Sequence, residues 1–296
     1  MAAVEAKIPL AAPKDSVAAS EVSLYRNVLK IKQQHGLENL GISFFDAETT
    51  IQWSYNADFY FHAASTMKLA VLLGVFRQVE RGDLSLDSAV HVRNRFTSIV
   101  NREPFMLDLA RDADPDVYGH LGKTLTVREL AYWMITKSSN LATNLLVDIL
   151  GIDIIQKALD ELDIDGIRIL RGVEDQAAFE AGLNNEVTAT GLLKLLRLIA
   201  EGKAYSKHAC DEMLNILLEQ QYRSGIPAGL PKAARVAHKT GNISTVHHDA
   251  GIVYLENRKP YVLVILTQFA AEGGRGTAVA DVSRDIFNTL AGMIYE

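Results

Sequence analysis

The 296-residue chain is 48% hydrophobic and 22% charged, with a formal charge of −6. That is the balance of a soluble globular protein long enough for one large core or two packed lobes, and it excludes the disordered and fibrous classes. Lys and Arg are scattered along an acidic chain rather than gathered into a stripe, which excludes nucleic acid as a partner. The longest apolar runs, Leu69 to Val75 and Tyr261 to Leu266, fall far short of the roughly 18 to 20 residues that a bilayer requires, so no membrane span is expected. A single cysteine, Cys210, allows no intrachain disulfide and no thiolate metal site.

The first twenty residues show no continuous apolar stretch behind a basic head, so they are not a secretory signal as given. The expectation is a cytoplasmic chain, or a periplasmic or secreted one whose signal has been removed. Ser16 to Gln34 carries apolar residues at Val17, Val22, Leu24, Val28, Leu29 and Ile31, a partial helical stripe ended by Gly36. From 41 to 61, Asp46 to Thr50 separates two segments rich in aromatic and β-branched residues, which predicts a hairpin.

A long apolar helix is predicted after His62. Residues 91 to 125, largely polar and broken by Pro104 and Pro115, read as an irregular insertion. Thr126 and Glu129 have the spacing of a capping box, and the helical pattern that begins at Ser139 stops at Gly151. Further helices are predicted at 152–162, 188–201 and 207–219. Three strands and a final helix from about 277 to 294 close the chain, with Glu256 to Pro260 as the turn of a second hairpin. The fold class expected is therefore α/β. An antiparallel sheet is built from both chain termini and flanked by helices, with an all-helical lobe inserted (α/β lobe about 16–62 and 220–296, helical lobe about 63–219).

The chemistry starts from Ser65 and Lys68. Residues three apart on a helix share a face, and the first turn, with its unpaired N–H groups and positive dipole, disfavours an ammonium and favours an anion. A lysine with a lowered pKa acts as a base, and the serine becomes a nucleophile. The plainer reading is that Lys68 snorkels and Ser65 merely caps. Two further motifs accompany the pair: Ser138-Ser139-Asn140 at a helix entry and Lys239-Thr240-Gly241 on a strand.

S-x-x-K, S-x-N and K-T-G in this order, inside strands, helical block and strands, resemble the class A β-lactamases and their penicillin-recognising serine relatives across nearly the whole chain. The resemblance implies a serine hydrolase that works through a covalent acyl-enzyme on a small β-lactam or acyl ester or amide, as a monomer, without metal or cofactor. Ser65 would be acylated, with Lys68 helping to deprotonate it and Ser138 relaying a proton to the leaving nitrogen. Asn140 would hold the substrate amide, and Lys239 and Thr240 its carboxylate. Beyond Gly241, the N–H of Asn242 would complete an oxyanion hole with that of Ser65.

This chain departs from that pattern in having Ser139 where aspartate is common and in the 91–125 insertion. The deacylating carboxylate falls at Glu174 by chain length or at Glu180 by the pattern Glu–x–x–Leu–Asn. If neither serves, the acyl-enzyme would be long-lived. The alternatives are a D-alanyl peptidase or esterase of the same fold, and a penicillin-binding sensor that stays acylated.

Weaker features read structurally. His238, His247 and His248 suggest a metal cluster, but alternation sends the last two to opposite faces, and His248 is expected at the carboxylate end of the pocket. Arg223 reads as an ion-pair partner, Trp53 and Trp133 as packing, and 271–277 as a turn rather than a phosphate loop.

Overall fold

The computed structural model describes residues 14–270 and 276–291. The readings made for the extreme N-terminus, for 271–275 and for the helix end beyond 291 lie outside the described residues.

Helix α1 (Lys14–Gln34) buries Leu24, Val28 and Ile31, at i, i+4 and i+7, and leaves Val22 and Leu29 outside. Strands β1 (Leu37–Asp46) and β2 (Gln52–Tyr55) make the first hairpin. Asp46 shapes its turn by accepting from Glu48 N at 3.1 Å and Thr49 Oγ1 at 2.7 Å, and it also pairs with Arg258 in the turn of the second hairpin. That hairpin follows β3 (Arg235–Ile243) and consists of β4 (Val246–Tyr254) and β5 (Tyr261–Phe269). The sheet order is β3–β4–β5–β1–β2, antiparallel throughout, so the two ends of the chain meet where β5 pairs with β1.

Both faces of the sheet are covered, which is why β5 reads as an unbroken apolar run. Tyr261, Leu263 and Ile265 pack toward α1 and α9 (Ala278–Ile286), while Val262, Val264 and Leu266 join the helical core. That core holds α2 (Lys68–Glu80), α3 (Val127–Thr136), α4 (Asn140–Leu150), α5 (Ile152–Asp160), α7 (Ala189–Ala200) and α8 (Lys207–Leu218), while the short α6 (Gln176–Glu180) lies outside it.

Helix α2 is the pivot, since every residue from Lys68 to Arg77 is buried. Leu69, Val71, Leu72 and Val75 each contribute roughly 1.5 to 3 kcal/mol by burial. Gly74 lets α5 cross closely, because a Cβ there would lie 3.2 Å from Ile155 Cγ1. The Thr126–Glu129 capping box is formed in both directions at the start of α3. The 91–125 stretch carries more order than its composition suggests. Ala89–His91 pairs with Thr124–Thr126 and Phe96–Thr97 with Pro104–Phe105, and short 3-10 turns occupy Leu109–Arg111 and Asp116–His120. Among the described residues no helix is long and apolar enough to cross a membrane.

Candidate active site

Ser65 sits in a 3-10 turn, Ala64–Met67, that runs directly into α2. Ala64 has a left-handed φ of 44°, a strained conformation for a residue with a Cβ, stabilised where its N–H donates to His62 Nδ1 at 3.1 Å. Thr66 ties the turn back on itself through its Oγ1, which donates to Ala63 O at 2.6 Å. The turn is also held from β3. A Cβ on Gly241 would stand 3.2 Å from Thr66 N and 3.3 Å from Ala63 O, so any side chain there would push the strand edge and the Ser65 turn apart by a few tenths of an ångström.

Lys68 is fully buried. Its Nζ donates to Ser138 O at 2.6 Å, Ser138 Oγ at 3.1 Å and Asn140 Oδ1 at 3.0 Å. Burial lowers its pKa to about 7, against the opposing pull of the Asp112 and Glu174 carboxylates. Lys239, equally buried on β3, donates to Ser138 Oγ at 3.1 Å and to Thr240 O at 2.9 Å. Its pKa is pushed well below the ordinary lysine value, first by burial and then by the Lys68 ammonium. One hydroxyl thus receives two lysines. Ser138 can reach both because its backbone is left-handed, with φ at 60°.

Ser139 begins α4 as its cap, its Oγ accepting from Ala142 N at 3.3 Å. A second cap comes from the insertion. The carboxylate of Asp112 accepts from Asn140 N at 2.9 and 3.0 Å and from Leu141 N at 2.9 Å. It satisfies N–H groups that a helix start leaves unpaired and places a negative charge at the positive end of the dipole.

The two candidate glutamates have different surroundings. Glu174, in left-handed conformation at φ 61°, accepts from Asn140 Nδ2 at 3.0 Å and from Asp108 N at 3.2 Å. Glu180 is exposed at the end of α6 and accepts from Gln176 Nε2 at 3.0 Å. The loop that carries both is closed by Arg171, which donates to Leu183 O at 2.9 Å and to Asn184 Oδ1 at 3.2 Å beyond Glu180. Asp175 pins the loop to the insertion by accepting from Ser98 Oγ at 2.8 Å and Ile99 N at 3.0 Å.

A cavity of about 240 Å³ opens over Ser65, with Ser138, Asn140, Thr240 and Asn242 on its walls. Lys68 and Lys239 are buried behind that surface, and the half-buried Glu174 is bonded to the lining residue Asn140. The structure therefore brings residues from all three sequence motifs to one place. It adds Arg111, Tyr222 and Ser224, which the sequence did not single out, and His247, which the sequence weighed only as a metal ligand.

A model of the β-lactamase enzyme family matches residues 23–290. The chain belongs to the β-lactamase enzyme family. A β-lactamase of Bacteroides uniformis is 27% identical over 257 residues, covering 80% of this chain and 81% of that one. The VEB-1 β-lactamase of Pseudomonas aeruginosa is 26% identical over 276 residues, covering 90% and 86%. Among solved structures, PBP-A superposes with a TM-score of 0.76 at 27% identity, covering 90% of this chain and 97% of that one. The protein is a hydrolase of the serine β-lactamase type with the α/β fold of that family.

Within this β-lactamase-type site, two expectations are corrected. His248 does not line the cavity: it is fully buried, its Nε2 lies 2.9 Å from His62 O and its Nδ1 accepts from Thr267 N at 3.1 Å. Burial lowers its pKa to about 4, so it is a neutral cross-link beneath the Ser65 turn. His247 takes the cavity position because it lies directly opposite Asn242, and opposed residues of an antiparallel pair share a face. Arg223 is exposed and makes no ion pair among the described residues. His238 pairs with Asp249 inside the sheet at 2.8 Å, away from His247, and among the described residues no group of three or more side chains is placed to hold a metal.

Proposed function

We propose that this enzyme hydrolyses the β-lactam amide through an acyl-enzyme on Ser65. The observation that carries the reading is the chain Lys68–Ser138–Lys239, whose Ser138 shares one cavity with Ser65. Lys68, with a pKa near neutrality, takes the Ser65 hydroxyl proton as Oγ attacks the lactam carbonyl carbon. The N–H groups of Ser65 and Asn242 receive the oxyanion. When the C–N bond breaks, the nitrogen takes a proton from Ser138 Oγ. Both lysines donate to that oxygen, which leaves its own hydrogen free for the transfer and supports its replacement.

Lys239 and Thr240 bind the substrate carboxylate, Asn140 the acyl amide, and Gly241 gives β3 its close approach. Glu174 then takes a proton from water as it attacks the ester carbonyl, the C–Oγ bond breaks, and that proton is passed back so that Ser65 regains its hydroxyl. In this reading the α/β lobe (about 16–62 and 220–296) supplies the carboxylate wall, the helical lobe (about 63–219) supplies the nucleophile and its bases, and the active unit is a monomer.

A second reading, acylation without efficient release, is favoured because the Glu174 carboxylate is engaged by Asn140 Nδ2 and Asp108 N and is not among the cavity-lining residues. Intact-mass measurement with benzylpenicillin decides. The expected result is a Ser65 adduct that turns over and that Ser65→Ala cannot form; an adduct in that variant overturns the assignment. A wild-type adduct that persists selects the second reading.

A further inference from the structure

The insertion carries a charged side chain to the cavity that the catalytic steps do not use. Arg111 lines the cavity, is exposed and makes no ion pair among the described residues. The two neighbouring carboxylates that could neutralise it are committed elsewhere. Asp108 Oδ1 caps its own turn by accepting from Ala110 N at 2.9 Å, and Asp112 is spent on the first N–H groups of α4.

These commitments also hold the backbone. Arg111 N donates to Asp108 O at 2.9 Å, Asp112 N to Leu109 O at 3.3 Å, and Asp108 N to Glu174 at 3.2 Å. The turn bearing Arg111 is thus fastened to both the second motif and the Glu174 loop, so an ion pair with substrate would order little more than the side chain itself.

Arg111 is the permanent cation on the cavity surface. His247, the other basic lining residue, has its pKa lowered by burial below the ordinary histidine value and is neutral at pH 7. Lys68 and Lys239 lie beneath the surface with their hydrogen bonds on Ser138, Asn140 and Thr240. Arg111 also stands on the α4 wall, because its neighbour Asp112 is bonded to Asn140 N; Thr240 and Asn242 form the β3 wall. A substrate whose carboxylate sits on β3 and whose acyl amide sits on Asn140 directs its acyl side chain toward the α4 wall.

We propose that Arg111 is a specificity-determining residue that favours substrates with a second anionic group on the acyl side chain, with Asp112 as its anchor. The inference rests on the proposed acyl-enzyme reading and adds the substrate class. Benzylpenicillin and carbenicillin test it, since the second differs from the first by one carboxylate on that side chain.

The measurement is the second-order rate of Ser65 acylation, followed by intact mass, which does not depend on how fast the adduct is released. Arg111→Gln should lower the rate for carbenicillin about three- to ten-fold while benzylpenicillin changes less than about two-fold, the range of a partly exposed charge-assisted contact. Arg111→Lys should recover part of the difference, and added salt should reduce the wild-type ratio. An equal loss with both penicillins, or an unchanged ratio, overturns the proposal while leaving the acyl-enzyme reading intact. Failure of carbenicillin alone to acylate the wild type also overturns the proposal, and failure of both penicillins overturns the acyl-enzyme reading with it.

Discussion

The carboxylate of Glu174 accepts a hydrogen bond from the side-chain amide of Asn140 at 3.0 Å. The same amide's oxygen accepts from Lys68, so the candidate deacylating base is one residue removed from the lysine that serves acylation. Glu180, at the exposed end of α6, has no comparable connection.

Glu174→Gln should therefore leave the acylation burst nearly intact and lower steady-state turnover by on the order of 10² or more, the usual range for loss of a general base. The adduct should accumulate, and intact mass with burst kinetics reads both effects. Glu180→Gln should turn over as wild type does. The reverse pattern would move the base to Glu180.

Acylation should follow the protonation of Lys68. The neutral amine is the proton acceptor, and burial has lowered its pKa to about 7, so the acylation rate should fall as pH drops through that region. The Asp112 carboxylate raises this pKa by favouring the ammonium. Asp112→Asn removes that charge, so the inflection should shift to lower pH, and at pH 6 the variant should keep a larger fraction of its own plateau than wild type keeps. Weakening the α4 cap should also cost about 1 kcal/mol of stability. Stopped-flow acylation across pH checks the first effect and thermal unfolding the second. An unmoved inflection would confine Asp112 to capping.

Gly241→Ala should slow acylation more than it destabilises the fold. The new Cβ would lie 3.2 Å from Thr66 N and 3.3 Å from Ala63 O, both backbone atoms of the turn that presents Ser65, so β3 and that turn must separate. The separation would widen an oxyanion hole formed by the N–H groups of Ser65 and Asn242. Acylation rate set beside the unfolding midpoint separates the two effects. A full-rate variant would place the oxyanion donors elsewhere.

The fold and the family were legible because their signals are local. The stripe at Leu24, Val28 and Ile31, the capping spacing of Thr126 and Glu129 and the apolar run from Tyr261 to Leu266 each follow from the period of one element. Three short motifs in order are equally readable on a line. Register was not. Whether His247 or His248 faces the cavity is a one-residue parity, decided when Asn242 pairs opposite His247.

Long-range closure was hidden as well. Asp112 lies 28 residues before Asn140, and nothing in the polar insertion marks it as the cap of α4 or its neighbour Arg111 as a cavity residue. The surroundings of Glu174 and Glu180 diverge only when Arg171 and Asp175 fold their loop against the insertion. The sequence by itself determined which elements form and which chemistry is available. The tertiary structure decided which side chains meet, because those meetings depend on strand parity and on hydrogen bonds between segments that share no local pattern.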